Sequence, residues 1–161
     1  MIRKKIGFFC TVFLMFIIFC FSSMDQNQKI DFSKPLYSPF QSIAIEYKQE
    51  KSENSLDSAS EKRINVKVAT FFYKFGHFVL FLFLGLFSFI YADCCDLKLL
   101  KSISFAFLFC VIYALFDEFH QFFIDGRNAA FKDVLIDSFG AVVGILISYI
   151  LNYKILKIKR C

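Results

Sequence analysis

The stretch DEFHQFFIDGR, Asp117 to Arg127, gathers two adjacent acids, a histidine, a glutamine, a third acid and an arginine between two long apolar runs. On a helix, Asp117, His120 and Gln121 share one face, because they stand three and four residues apart. Gly126 invites a bend, and beyond it Asp133, Asp137, Gly140 and Gly144 recur at four, three and four, one stripe of a second helix. Lys74 and His77 stand at the head of a further apolar run. Such a set can move protons and hold an anion. An imidazole titrates near pH 6.5 beside carboxylates that can exchange its proton, and a guanidinium grips a carboxylate or phosphate at two points.

Glu118, His77 and Asp117 are therefore the candidate proton-moving groups, while Arg127, Lys74, Gln121 and Asp133 are candidates to hold a substrate. Asp137 falls about a turn inside an apolar run, a costly place for an acid unless it is protonated, paired or facing a wet cavity. Ser138 and Thr70 have no recognisable base partner, so the sequence offers no nucleophile. A metal would draw on His77, His120, Glu118 and Asp117, but their spacing matches no HExxH helix or other standard site. No metal and no cofactor is expected.

The elements that must position these groups follow from composition. Of the 161 residues, 57% are hydrophobic and 25 are phenylalanine, which points away from a soluble domain and towards a membrane protein. Four runs approach the roughly 20 residues a spanning helix needs: about 6–23, 71–92, 99–116 and 134–153. The expected fold is all-α, a polytopic membrane protein with four transmembrane helices in one domain over 6–153. The first run is longer than a signal core and no Ala-x-Ala-like site follows it, so it is read as a retained anchor.

Basic residues set the orientation. Arg3, Lys4 and Lys5 precede the first span, Lys98 and Lys101 lie in and just beyond the short second connection, and Lys154, Lys157, Lys159 and Arg160 follow the last. An even number of spans with both termini cytoplasmic satisfies all three clusters and accounts for the net charge of +5 without nucleic acid. Asp117, Glu118, Asp133, Lys74 and His77 then fall in the outer half, forming a polar cup open to the outer face with Phe119, Phe122 and Phe123 at the lipid boundary. Asp93 and Asp96, at the inner turn, read as solvated loop charges, and the inner half is expected to lack polar residues that match those of the outer half and would continue a proton path. The cysteines require no disulfide framework, and Cys94-Cys95 lacks CxxC spacing. Residues 24–70 form an outer loop, partly flexible around KQEKSENSLDSASEK, with a short amphipathic helix near 40–47.

These residues carry a resemblance. DEFHQFFIDGRNAAFKDVLIDSFGAVVG resembles the VanZ-like integral membrane proteins, whose hallmark is an acid pair, a Gln, an Arg beyond a bend, an Asp and a glycine-bearing helix. YKFGHFVLFLFLG is similar to the family's second-helix signature, and IFCFSS to the end of its first helix. By position, Lys74 and His77 match the second-helix motif, and Asp117, Glu118, Gln121, Arg127 and Asp133 the long one. The chain departs from the pattern at Tyr73, where an Arg is expected, at Leu80 and Phe81, where polar groups are expected, and at Asp137, where an Asn is expected. The resemblance implies a cell-envelope role tied to low-level resistance to the glycopeptide teicoplanin, and names no reaction.

Three functions fit these residues. One is an enzyme of the cytoplasmic membrane acting at the outer face on a lipid-linked envelope precursor or a glycopeptide-related molecule. A second is a non-catalytic factor that braces itself with the polar cluster and binds a membrane-protein partner. The third is proton-coupled transport, for which four spans are few.

Overall fold

The computed structural model describes residues 2–51, 58–95, 97–124 and 130–155. Every regular element among them is helical: α1 (Ile2–Ser22), α2 (Gln26–Lys51), α3 (Ser58–Asp93), α4 (Leu99–Gln121) and α5 (Phe131–Tyr149), which runs on into a π-helical segment, Ile150–Ile155. Four stretches are long and apolar enough to cross a bilayer: Ile2–Ser22, Arg63–Asp93, Leu99–Gln121 and Phe131–Tyr153. At about 1.5 Å per residue, three of these reach the roughly 30 Å of the hydrocarbon core, and the 31 residues of Arg63–Asp93 exceed it. The all-α polytopic architecture read from composition is the one observed.

The chain forms two compact units, one of Met1–Ser23 with His77–Cys161 and one of Met24–Gly76. In the first, α1, α4, α5 and α3 from His77 onward surround a core to which Ile18, Phe81, Leu84, Ala114 and Ala141 contribute, all but fully buried. Lipid tails are as apolar as leucine, so close packing and interhelical hydrogen bonds must hold such helices together. Both are present. The Tyr113 hydroxyl on α4 donates to the Met15 carbonyl on α1 at 2.6 Å. Where α5 meets α3, a Cβ on Gly140 would lie 2.5 Å from the Phe78 carbonyl oxygen, and one on Gly144 would meet the Leu82 carbonyl oxygen still closer. Only glycine permits that backbone approach, as the stripe on α5 leads one to expect.

Large apolar side chains face outward instead of inward, among them Phe13, Phe83, Phe105 and Phe139. Phe119, Phe122 and Phe123 are each about two-thirds exposed, and Phe123 makes edge contacts with both of the others, a lipid-facing cluster beside the polar stretch.

The second unit departs from the loop expected between the first two spans, for the short helix read near 40–47 is part of α2, 26 residues long. Asp25 and Gln28 start it with reciprocal side chain to backbone bonds, Gln28 N–H to Asp25 Oδ1 at 2.8 Å and Asp25 N–H to Gln28 Oε1 at 3.0 Å. This capping box satisfies amides that a helix start leaves without partners. Pro35 and Pro39 lie inside α2 although each removes a backbone donor. Packing against α3 within the same unit compensates: the Phe40 and Phe72 rings stand 5.6 Å apart, and Lys29 Nζ lies 4.7 Å from the centre of the Tyr73 ring.

Cys94 is disulfide-bonded, whereas Cys10, Cys20, Cys95 and Cys110 are free. The sequence calls for no disulfide framework, and the bond at Cys94 is one that its spacing does not reveal.

Candidate functional site

Small residues decide which face of α4 turns inward. Ser102, Ala106, Cys110 and Ala114 recur every four residues and are all buried. The same face continues into Asp117, Glu118 and Gln121, which follow it into the bundle. On α5, Gly140, Ala141 and Gly144 draw the helix onto α3, and Asp137, one turn earlier on that face, is buried with them. His77 lies next to Phe78, at the height where α3 touches Gly140.

Three helices therefore deliver three ionisable side chains to one point. His77 Nδ1 is 3.7 Å from Asp117 Oδ2 and 3.9 Å from Asp137 Oδ2. One ligand atom from each of the three lies within 4.8 Å of the others, and all three residues are at least nine-tenths buried. The Gln121 amide donates to Asp117 Oδ2 at 2.6 Å, fixing that carboxylate, and the Phe21 ring of α1 stands 5.4 Å from the imidazole. Glu118, also buried, accepts the backbone N–H of Ala130 and so holds the residue that precedes α5. The cup read as open to one face is, in the structure, a buried group.

The candidates separate accordingly. His77, Asp117 and Asp137 meet, with Gln121 on Asp117 and Glu118 on the start of α5. Asp133 sits half-buried in the first turn of α5, where a carboxylate suits the positive end of the helix dipole. Lys74 belongs to α3 within the second unit and is half-buried. Arg127 lies outside the described residues. His120 is half-buried with its ring 4.6 Å from that of Phe19.

A model of the VanZ/LLP1 family matches residues 8–152. The chain belongs to that family. No curated protein and no solved structure matches it. The VanZ/LLP1 match runs through all four membrane-spanning helices and every described residue of the group around His77.

At the far end of this VanZ/LLP1 bundle a second polar group corrects the reading of Asp93 as a solvated loop charge. Asp93 is 1% exposed and accepts the Tyr153 hydroxyl at 2.5 Å. Ser102, Ser148 and Asn152 are buried in the same half, with the Ser102 hydroxyl 3.4 Å from the Ala92 carbonyl and Asn152 Nδ2 3.4 Å from Ser148 Oγ. That half thus holds a polar group of its own, and Phe81, Leu84 and Ala141, each essentially inaccessible, lie between it and His77 along the helices. A sequence signal existed: Asp93 stands four residues beyond Phe89 and continues the buried face of α3.

Proposed function

We propose that this VanZ/LLP1 protein is a multi-pass protein of the bacterial cytoplasmic membrane, with both ends inside, that modulates susceptibility to teicoplanin-type glycopeptides through the group around His77. The observation that carries the reading is the convergence of His77, Asp117 and Asp137 from three helices to within 4.8 Å. Burying that many ionisable groups costs more than joining four helices requires, since apolar contacts would join them at lower cost. In this reading Glu118 or His77 moves a proton and Arg127 with Lys74 holds the phosphate or carboxylate of a lipid-linked envelope precursor.

A second reading, a non-catalytic factor that binds a membrane-protein partner, is favoured by the Gln121–Asp117 and Ala130–Glu118 hydrogen bonds, which brace the structure. One experiment separates the two. Cells carrying the unaltered chain, Glu118→Gln or Arg127→Lys are assayed for teicoplanin susceptibility, with the membrane abundance of each chain measured alongside. Loss of the phenotype at unchanged abundance supports a working site, and falling abundance in step with the phenotype supports the brace. An unaltered chain that leaves susceptibility the same as in cells lacking it refutes the glycopeptide role.

A further inference from the structure

We propose that His77, Asp117 and Asp137 together bind one divalent transition-metal cation of the zinc or manganese kind; this deepens, and rests on, the reading of the same group as the working site. Three observations carry it. The donor atoms come from α3, α4 and α5 and already lie within 4.8 Å of one another. A tetrahedral ion with bonds of about 2.0–2.2 Å sets its ligands roughly 3.3–3.5 Å apart. The Nδ1 to carboxylate separations of 3.7 and 3.9 Å therefore need to contract by only a few tenths of an ångström, within reach of side-chain rotation.

Charge is the second argument. Two carboxylates beside one imidazole attract a divalent cation more strongly than a monovalent one, and the low dielectric of the hydrocarbon region strengthens that attraction. Imidazole with carboxylate is also a ligand set that suits zinc or manganese better than calcium or magnesium.

The surroundings supply the third. A metal-bound carboxylate needs an outer partner to fix it, and Gln121 donates to Asp117 Oδ2 at 2.6 Å. Glu118 is engaged with the Ala130 N–H and His120 stands against Phe19, so Asp137 takes the place that spacing alone would have given to either.

The test uses the full chain, purified in detergent and stripped with a chelator, then titrated with zinc or manganese chloride, magnesium chloride serving as control. The expected result is one tightly bound zinc or manganese per chain, at least tenfold weaker binding in His77→Gln and Asp137→Asn, and binding weakened about 10- to 100-fold in Gln121→Leu. Affinity unchanged in His77→Gln and Asp137→Asn, or no stoichiometric ion in the unaltered chain, overturns the proposal. Should a variant lose its helical circular dichroism, X-ray absorption of the zinc-loaded unaltered chain decides: one imidazole with oxygen ligands supports the site, and sulfur ligands overturn it, since the cysteines would then hold the ion. The outcome is independent of drug phenotype. A chain without an ion whose Glu118→Gln variant still loses teicoplanin resistance discards only the metal, and an ion bound to a chain without phenotype discards only the glycopeptide role.

Discussion

Replacing Gly140 by alanine asks whether the approach of α5 to α3 holds the bundle and its polar group together. The added Cβ would lie 2.5 Å from the Phe78 carbonyl oxygen and 3.2 Å from Phe78 Cδ2, whereas ordinary contact begins at 3.4 Å. The difference between 3.4 and 2.5 Å, about 0.9 Å, is how far the backbones must part, because a helical carbonyl cannot swing aside as a side chain can. A gap of roughly 0.5–1 Å forfeits a quarter to a half of each pair's dispersion energy, and forcing one methyl into a packed contact costs about 1–3 kcal/mol. Parting at Phe78 also carries Asp137 Oδ2 away from His77 Nδ1, now 3.9 Å distant. Denaturant unfolding of the detergent-solubilised chain, followed by helical circular dichroism, should show Gly140→Ala less stable by about 1–3 kcal/mol. Gly144→Ala should cost more, because its Cβ meets a carbonyl oxygen closer still, and Gly7→Ala less, its nearest neighbour being the Tyr91 nitrogen at 2.9 Å. Equal stability of Gly140→Ala and the parent within about 0.5 kcal/mol, or a reversal of that order, would refute the reasoning.

Other perturbations reach different parts of the structure. Tyr153→Phe removes the hydroxyl that Asp93 accepts at 2.5 Å, and should destabilise the chain by about 1.5–3 kcal/mol in the same unfolding assay; an unchanged midpoint would mean that the buried carboxylate finds another donor. Tyr113→Phe cuts the bond from α4 to α1 and should cost about 0.5–1.5 kcal/mol, with no change expected in the stability of a variant already lacking α1. Orientation is read from Cys95, free and half-buried in the turn before the basic Lys98. With the other five cysteines replaced by alanine, a membrane-impermeant maleimide should label Cys95 only after the cytoplasmic face is opened. Labelling in intact cells would place the turn outside and reverse the topology inferred from the basic residues.

The four spans were legible in the sequence because burial in lipid demands long apolar runs, a signal that a single residue cannot blur. Gly140 and Gly144 were legible as a packing stripe for a similar reason: helical periodicity fixes which residues share a face. The second unit was less so. Pro35 and Pro39 argue against a helix locally, and only contacts such as Phe40 with Phe72 override them, which no local pattern reveals. Asp93 was misread because a charge at a helix end is ordinarily solvated, and its partner, Tyr153, is 60 residues away.

Asp137 shows where spacing stops and tertiary structure begins. From the family pattern it reads as a departure, an acid where an Asn is expected, and so as a weakening of the motif. Within the bundle its Oδ2 lies 3.9 Å from His77 Nδ1, beside Asp117 Oδ2 at 3.7 Å. An Asn there would offer an amide and no charge, leaving one carboxylate beside one imidazole, a pair that can share a proton. The Asp adds a second negative charge and a more strongly binding oxygen than an amide would offer. The same substitution that departs from the family motif thus changes what the group can hold, from a proton to a doubly charged ion, and it does so only because glycines three and seven residues further along α5 bring that helix against α3.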